Sequence, residues 1–198
     1  MKPSTSRKVL STLLVLSLMS AVTAGVTVSA LSATTQSDGN TFAAGTVGIS
    51  DSDGGSSALY NVAGLEPGQG VEKCIEVTYG GTLNGEVRMY TDSSIGALGS
   101  QLDVQIAPGT QTGSPTFPSC AGFTPDAGGD LFSGTLASFA STHDAWGSGL
   151  ADDGPGAATS WNEDDAVVYR LRVTVADDDT VINQSTGSHR FVFEGRNE

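Results

Sequence analysis

The sequence predicts an all-β protein: an antiparallel β-sandwich of jelly-roll type, with long loops and one short helix. Glycine accounts for 26 of the 198 residues, and glycine together with β-branched residues, serine and threonine favours short strands and turns over long helices. Several short runs alternate apolar with polar side chains, and turn residues separate these runs at the spacing of a sandwich. A chain of this length buries roughly 70% of its unfolded surface, so a single domain and a targeting segment account for it.

The clearest strands are predicted within residues 65–90. Residues 71–79 alternate apolar and polar side chains after the Pro67-Gly68 turn, which predicts a half-buried strand. The chain breaks at Gly80-Gly81, and a second alternating run leads to Tyr90. Two such runs joined by a connection of glycine and asparagine predict a β-hairpin.

The same patterns predict the remaining elements. Further strands are expected at residues 41–49, 58–62, 102–106, 167–175 and 191–194. The strand at 102–106 is expected to stop at Pro108-Gly109, and a long loop without periodicity to follow as far as Gly129. Residues 131–140 predict a short strand that leads into a brief helix.

Residues 1–30 predict a secretory signal peptide. Lys2, Arg7 and Lys8 precede an apolar run, and a small-x-small pattern closes the run at residues 28–30. The run is about 20 residues, which is long enough to span a bilayer, so an uncleaved membrane anchor is the alternative. After cleavage, residues 31–40 would form a flexible N-terminal arm and residues 41–198 a single β-sandwich domain.

The chain is strongly acidic, with a formal net charge of −13. Loss of residues 1–30 removes three basic residues and no acidic one, which leaves 6 basic against 22 acidic residues and a net charge of −16. Such a surface repels polyanions, so nucleic acid is excluded as a partner. We expect no contact with a membrane after the signal peptide has been cleaved.

Cys74 and Cys120 are the two cysteines of the chain, and both belong to the exported part. Oxidising conditions outside the cell favour a disulfide between them, and closing a loop of this length contributes roughly 4 kcal/mol of stability. Cys74 lies on the polar face of its predicted strand, so the bridge should hold the loop around Cys120 over the outside of the sheet. Two isolated cysteines without nearby histidines do not make a zinc site.

No motif in the sequence assigns a catalytic or cofactor-binding residue. His143 and His189 are far apart and belong to no HExxH pattern, which argues against a zinc hydrolase. Asp51-Ser52-Asp53-Gly54 resembles the start of a calcium loop, but the twelfth position is Val62 and not glutamate. Solvated turns account for this and the other acidic clusters, and a calcium ion bound in a loop is the alternative.

Both tryptophans, Trp146 and Trp161, lie in acidic, glycine-rich loops. An exposed indole there could stack on a sugar ring. The favoured interpretation is that each indole caps the core from its loop.

Five segments of the chain together resemble the TasA/camelysin family of exported bacterial proteins. They are TFAAGTVGIS at 41–50, GLEPGQ at 64–69, GGTLNGEVRMY at 80–90, LFSGTLASF at 131–139 and FVFEGRN at 191–197. The resemblance implies a jelly-roll sandwich and a role as a fibre subunit or surface component of the biofilm matrix. Some members carry a metallopeptidase label, for which this chain offers no motif, and residues 31–38 lack the aromatic residue that the family usually has after cleavage.

These observations lead to a secreted structural protein of the extracellular matrix or cell surface, without enzyme activity, whose partners are its own copies or other matrix components. If fibres form, residues 31–47 would add a strand to the sheet edge of a neighbouring subunit. Thr41 would belong to the added strand, and Phe42 and Val47 would occupy pockets. The alternatives are a secreted, camelysin-like metal-dependent endopeptidase and a calcium- or carbohydrate-binding module.

Overall fold

The structure is a computed structural model that describes residues 32–34, 46–54, 59–60, 64–113 and 116–197, with the backbone alone at 32–34. The described residues form ten strands, one α-helix and three short 3-10 helices. The strands are β1 (Ser32–Thr34), β2 (Ile49–Asp51), β3 (Gly70–Tyr79), β4 (Gly85–Tyr90), β5 (Leu102–Gln111), β6 (Phe123–Pro125), β7 (Phe132–Thr135), β8 (Leu150–Asp152), β9 (Ala166–Val175) and β10 (Val192–Asn197). The α-helix is α1 (Leu136–Thr142), and the 3-10 helices are Ala97–Gln101, Trp146–Ser148 and Asp179–Val181. None of the helices in this part of the chain is long and apolar enough to cross a membrane.

The strands build two antiparallel sheets that pack against each other as a β-sandwich. The smaller sheet has the order β1-β10-β4-β8, and the larger has the order β2-β3-β9-β5-β6, with β7 also paired to β5. Tyr169 of the larger sheet meets Phe193 of the smaller one, with 5.1 Å between the ring centroids. The predicted all-β sandwich is confirmed, and the jelly-roll connectivity stays a prediction.

β3 and β4 do not form the predicted hairpin, because they lie in different sheets. β9 occupies one edge of β3, and β2 occupies the end of the other edge by pairing Ile49 with Tyr79. The connection folds around Tyr79, whose hydroxyl donates a hydrogen bond to the Leu83 carbonyl at 2.7 Å. A Cβ on Gly85 would lie 2.4 Å from that hydroxyl oxygen, so the first position of β4 requires glycine. Alternation therefore predicted both strands but not their partners.

β5 continues through the Pro-Gly pair at which the sequence predicts its end. Pro108 has no N–H, but its carbonyl accepts a hydrogen bond from the Asp126 amide at 3.0 Å. The proline nitrogen thus faces the gap between the end of β6 and the start of β7, where β5 needs no donor. A Cβ on Gly109 would lie 2.2 Å from the Thr124 carbonyl oxygen, so glycine permits the approach of β6. The region predicted as one structureless loop therefore contains a strand.

The predicted strand-to-helix segment at residues 131–140 is confirmed as β7 followed by α1. The Thr135 hydroxyl accepts a hydrogen bond from the Ser138 amide at 3.1 Å, which caps the N-terminus of the helix. Leu136 and Phe139 of α1 are buried. The helix therefore covers part of the core.

Unequal strand lengths divide the sandwich into two ends. β3, β5 and β9 have ten residues each, whereas β4 and β10 have six. At the closed end, defined by Tyr79, Val167 and Trp161, both sheets are present and these side chains are at most 1% exposed. At the open end, defined by Val71 and Val173, the larger sheet extends beyond the smaller one. Four residues of strand correspond to about 13 Å, and other parts of the chain have to cover this length.

Cys74 and Cys120 form the predicted disulfide, with 5.1 Å between their Cα atoms. The Cys74 amide also donates a hydrogen bond to the Pro118 carbonyl at 3.1 Å. On the same face, the guanidinium of Arg170 lies 4.9 Å from the ring centroid of Phe123. The segment between β5 and β6 therefore crosses the outside of the larger sheet, as the sequence predicts.

The N-terminal arm contains a strand that the sequence does not predict. Residues 32–34 pair antiparallel with β10, and Ala33 lies opposite Gly195. A sheet edge offers unpaired backbone groups to any chain within reach, so this pairing needs no apolar pattern. The predicted signal peptide and the rest of the predicted arm lie outside the described residues.

Two predicted strands differ from the structure or fall partly outside it. Most of the strand predicted at 41–49 lies outside the described residues, and the strand found in this region is β2, which extends to Asp51. Of the strand predicted at 58–62, Leu59 and Tyr60 are described, and neither belongs to a strand. These side chains cover the open end.

Candidate functional site

The open end of the sandwich contains a cavity of about 560 Å³. It exists because the apolar face of the larger sheet continues past the last residues that the smaller sheet can cover. Loops and short helices cover this face instead, and they do not interdigitate with it as a facing strand would. The volume falls within the range of small-molecule sites.

The cavity walls are mostly apolar and come from both sheets and the covering segments. The strands contribute Val71, Ile75, Leu102, Val173 and Phe193, and the covering segments contribute Leu59, Tyr60, Leu65, Leu98, Leu136 and Phe191. The Tyr60 hydroxyl donates a hydrogen bond to the Leu171 carbonyl. Burial raises the pKa of Tyr60, so the phenol stays protonated and joins the covering segment to β9.

Two aspartates line the mouth of the cavity. Asp51 ends β2, and its carboxylate accepts a hydrogen bond from the Gly54 amide at 3.1 Å, which closes a turn. Burial, followed by the hydrogen bond and the charge of Asp53, raises the pKa of Asp51 to about 6. The carboxyl group of Asp51 therefore has a pKa closer to neutral pH than that of an ordinary aspartate.

Arg190 also lines the cavity, but its guanidinium binds a different carboxylate. Arg190 Nε donates a hydrogen bond to Asp92 Oδ1 at 2.8 Å, and this contact lowers the pKa of Asp92. None of the ion pairs between described residues includes Asp51. The mouth thus combines an acidic pair with an arginine whose charge a third carboxylate balances.

The two histidines lie in different surroundings. The His143 ring packs against Phe132 and Phe139, with 5.7 and 5.0 Å between centroids. His143 Nδ1 lies 2.7 Å from the Ser148 carbonyl oxygen, whereas His189 lines the cavity mouth. In the described part of the chain, no three His, Cys, Asp or Glu side chains are grouped so that they could hold a metal ion.

The two tryptophans also lie in different surroundings, one in the core and one at the surface of a sheet. Trp161 is fully buried, and its Nε1 donates a hydrogen bond to the Asp152 carbonyl at 2.6 Å. It therefore caps the core and cannot stack on a sugar. Trp146 is half-buried, and the guanidinium groups of Arg88 and Arg196 lie 5.1 and 4.4 Å from its ring centroid. Both arginines come from the smaller sheet, so this indole covers the outside of that sheet.

A second carboxyl group with a raised pKa lies away from the cavity, at Asp152 of β8. The residue is 8% exposed, and burial raises its pKa, although the nearby Tyr169 hydroxyl opposes this shift. Asp152 Oδ1 accepts a hydrogen bond from the Gly154 amide at 3.1 Å. This carboxyl group therefore lies in the core, and its second oxygen, Oδ2, is buried without a hydrogen-bond partner among the described residues.

The predicted assembly residues are only partly described. Val47 is partly buried and packs against the core of its own chain, whereas Thr41 and Phe42 lie outside the described residues. Sequence analysis did not predict the cavity at all. The feature that could have indicated the cavity is the difference in length between ten-residue and six-residue strands. This difference predicts a cavity only when it is known which strands face each other across the sandwich.

Comparison with models of known protein families gave no match, and comparison with curated proteins gave none either. Function is therefore inferred from the residues of this chain and from the resemblance of its five segments described above.

Proposed function

We propose that the protein is a secreted structural component of the extracellular matrix or cell surface, and that its copies join into fibres by N-terminal strand addition. The observation that carries this proposal is the pairing of β1 with β10. Three residues close to the predicted cleavage site already act as an added strand at the edge of the smaller sheet. Main-chain hydrogen bonds supply the affinity in such an arrangement.

The length of the arm supports an exchange between copies. Eleven residues separate Thr34 from Thr46, and a fully extended chain of that length spans at most about 40 Å. An arm with this reach could pair with β10 of a neighbouring copy instead of its own. Such a contact is head-to-tail and does not close on itself, so it would propagate as a filament.

The other edges of the two sheets are less able to pair with another chain, which favours the edge that β1 occupies as the point of exchange. β2 and the Pro118 carbonyl cover parts of the free edge of β3, and β6 and β7 cover that of β5. β8 closes the far edge of the smaller sheet with only three residues. Short and covered edges resist pairing with another chain.

The first test compares the mature chain with variants of β1 by electron microscopy and sedimentation velocity. We expect filaments that lengthen with added salt, because salt screens the repulsion between copies of charge −16. Ala33→Pro should prevent filament growth, because proline has no N–H and does not fit inside a ladder. Ala33→Ser retains the N–H and serves as the matched control.

Two outcomes would contradict strand addition. One is filament growth by Ala33→Pro that equals growth by Ala33→Ser. The other is unchanged growth by a chain that lacks residues 31–40 but retains Val47, which packs against the core.

A separate assay tests the endopeptidase alternative. Zinc content and casein cleavage would be measured on the purified protein with and without a chelator. Stoichiometric zinc together with chelator-sensitive cleavage would replace the structural role by a peptidase role.

A further inference from the structure

A surface turn between the last 3-10 helix and β10 carries the sequence Asn183-Gln184-Ser185. An asparagine that is followed at the second position by serine or threonine, with no proline between them, is the acceptor signal for N-linked glycosylation in exported proteins. This pattern occurs once in the chain. Asn84 and Asn162 are also exposed, but Gly-Glu and Glu-Asp follow them, so both lack the signal.

The turn has a conformation that asparagine tolerates and that exposes its side chain. The Gln184 amide donates a hydrogen bond to the Val181 carbonyl at 3.1 Å. Ile182 has φ −63° and ψ 132°, and Asn183 has φ 63°, which are the angles of a type II turn with asparagine at its third position. Ile182 is 58% exposed and Asn183 is exposed beside it, so the turn projects from the surface.

The Asn183 side chain is available for modification, whereas the other two exposed asparagines are engaged. Asn84 Nδ2 donates a hydrogen bond to the Ser160 hydroxyl at 3.4 Å. Asn162 Nδ2 donates one to Asp165 Oδ2 at 3.1 Å. No described residue accepts a hydrogen bond from the Asn183 side chain. A sugar on this nitrogen would therefore displace no contact between described residues.

The fold accounts for Asn183 but not for the hydroxyl of Ser185. The turn favours asparagine at position 183, because asparagine adopts positive φ more readily than most residues. Ser185 is exposed, and its backbone carbonyl accepts a hydrogen bond from the Leu98 amide at 3.3 Å. Any residue at position 185 could make this backbone contact, so the serine is explained by the acceptor signal and not by the turn.

We propose that Asn183 is a site of N-linked glycosylation, modified by a transferase that uses an oligosaccharide linked through phosphate to a lipid carrier. Asn183 Nδ2 forms a bond to the anomeric carbon of the sugar, and the bond from that carbon to the phosphate oxygen breaks. The lipid phosphate leaves with the electron pair, and a base of the transferase takes one proton from Nδ2. The transferase recognises the Ser185 hydroxyl. This inference rests on the predicted export of the chain and not on fibre assembly.

The test isolates the protein from the cells that naturally produce it and from their culture medium. The reduced protein is cleaved after lysine and arginine, and peptides 173–190 and 74–88 are analysed by mass spectrometry. We expect peptide 173–190 to carry at least one sugar, which fragment ions locate on Asn183. Peptide 74–88 is the matched control, because its Asn84 is exposed but lacks the signal and should carry none.

Substitutions separate recognition from folding. Asn183→Gly removes the acceptor nitrogen and keeps the turn, because glycine adopts positive φ without strain. Ser185→Ala keeps the acceptor and removes only the hydroxyl. Both variants should lose the sugar on peptide 173–190 completely, whereas Ser185→Thr retains the signal and should retain the sugar.

The outcomes distinguish this site from the predicted export. Peptide 173–190 without a sugar, in protein recovered from the medium or the cell surface, would overturn the proposal and leave the export intact. Unmodified protein found only in the cytoplasm would contradict both. A sugar that persists in Ser185→Ala, or one located on a serine or threonine of the peptide while Asn183 carries none, would also overturn the proposal.

Discussion

The closed and open ends of the sandwich use the same strands but differ in packing. β9 contributes Val167 to the closed end and Val173 to the open end, and their exposed fractions are 1% and 9%. At the closed end, strands and the indole of Trp161 cover the larger sheet. At the open end, single side chains such as Leu98 cover it. On this face of β9, Val173 is therefore less completely covered than Val167, whereas Val175 beyond it is 2% exposed.

Because of this difference, we expect substitutions at the closed end to affect mainly stability and substitutions at the open end to affect mainly binding. The closed end has buried rings, so substitutions there should reduce the free energy of unfolding. The open end combines a cavity with an acidic pair that costs stability. Substitutions there should have small or favourable effects on stability and larger effects on binding.

The largest expected effect is at Trp161. Trp161→Ala should lower the free energy of unfolding by about 4 kcal/mol, because it leaves a large cavity and removes the donor to the Asp152 carbonyl. Trp146→Ala is the matched control on the outside of the smaller sheet. It should cost only about 1 kcal/mol, mostly from the contacts with arginine. Chemical denaturation under oxidising conditions measures the free energy of unfolding of both variants. Equal decreases in the two variants would contradict the distinction between core and surface indoles.

A pair of valines on one face of β9 compares the two ends directly. Val167→Ala should cost about 2.5 kcal/mol and Val173→Ala about 1 kcal/mol, because the second position already adjoins a cavity and fewer contacts are lost there. The substitutions remove the same atoms from the same strand. Denaturation midpoints for both variants provide the measurement. A larger loss at Val173 would mean that the open end is packed as tightly as the closed end.

The smallest expected effect concerns the charge of Asp51. The groups that line the cavity with it are Asp53 on its own turn, Tyr60 in the covering segment, and His189 and Arg190 in the loop before β10. A pKa raised from 3.8 to about 6 means that the folded state binds the proton more tightly than the unfolded chain. The stability gained from this tighter proton binding is fully present below pH 3.8. It is lost as the pH rises through about 6.

Asp51→Asn should therefore stabilise the protein by about 1 kcal/mol at neutral pH, after allowance for solvent screening at the mouth. The gain should decline as the pH falls towards the ordinary pKa of aspartate. Denaturation curves across this range measure it, with Asp103→Asn as the control for the loss of one charge. A gain of the same size at every pH would show that repulsion at the mouth is not its source.

Local chemistry explains the parts of the fold that could be predicted. Alternation along residues 71–79 and 167–175 predicted β3 and β9, because one face of each strand is buried. The disulfide followed from two cysteines in a chain predicted to be exported and from the outward face of Cys74. Alternation could not predict which strands pair. For that reason the expected hairpin of β3 and β4 was wrong, and the continuation of β5 through Pro108 was missed.

The sequence by itself determined the all-β class, the faces of the long strands and the cysteine pair, because each depends on neighbouring residues or on composition. Only the tertiary structure decided that the strand after Tyr79 crosses to the other sheet, that Pro108 lies where β5 needs no donor, and that β1 pairs with β10. The cavity belongs to this second group. It arises from a ten-residue face opposite a six-residue one, and that mismatch exists only when strands far apart in sequence are brought together.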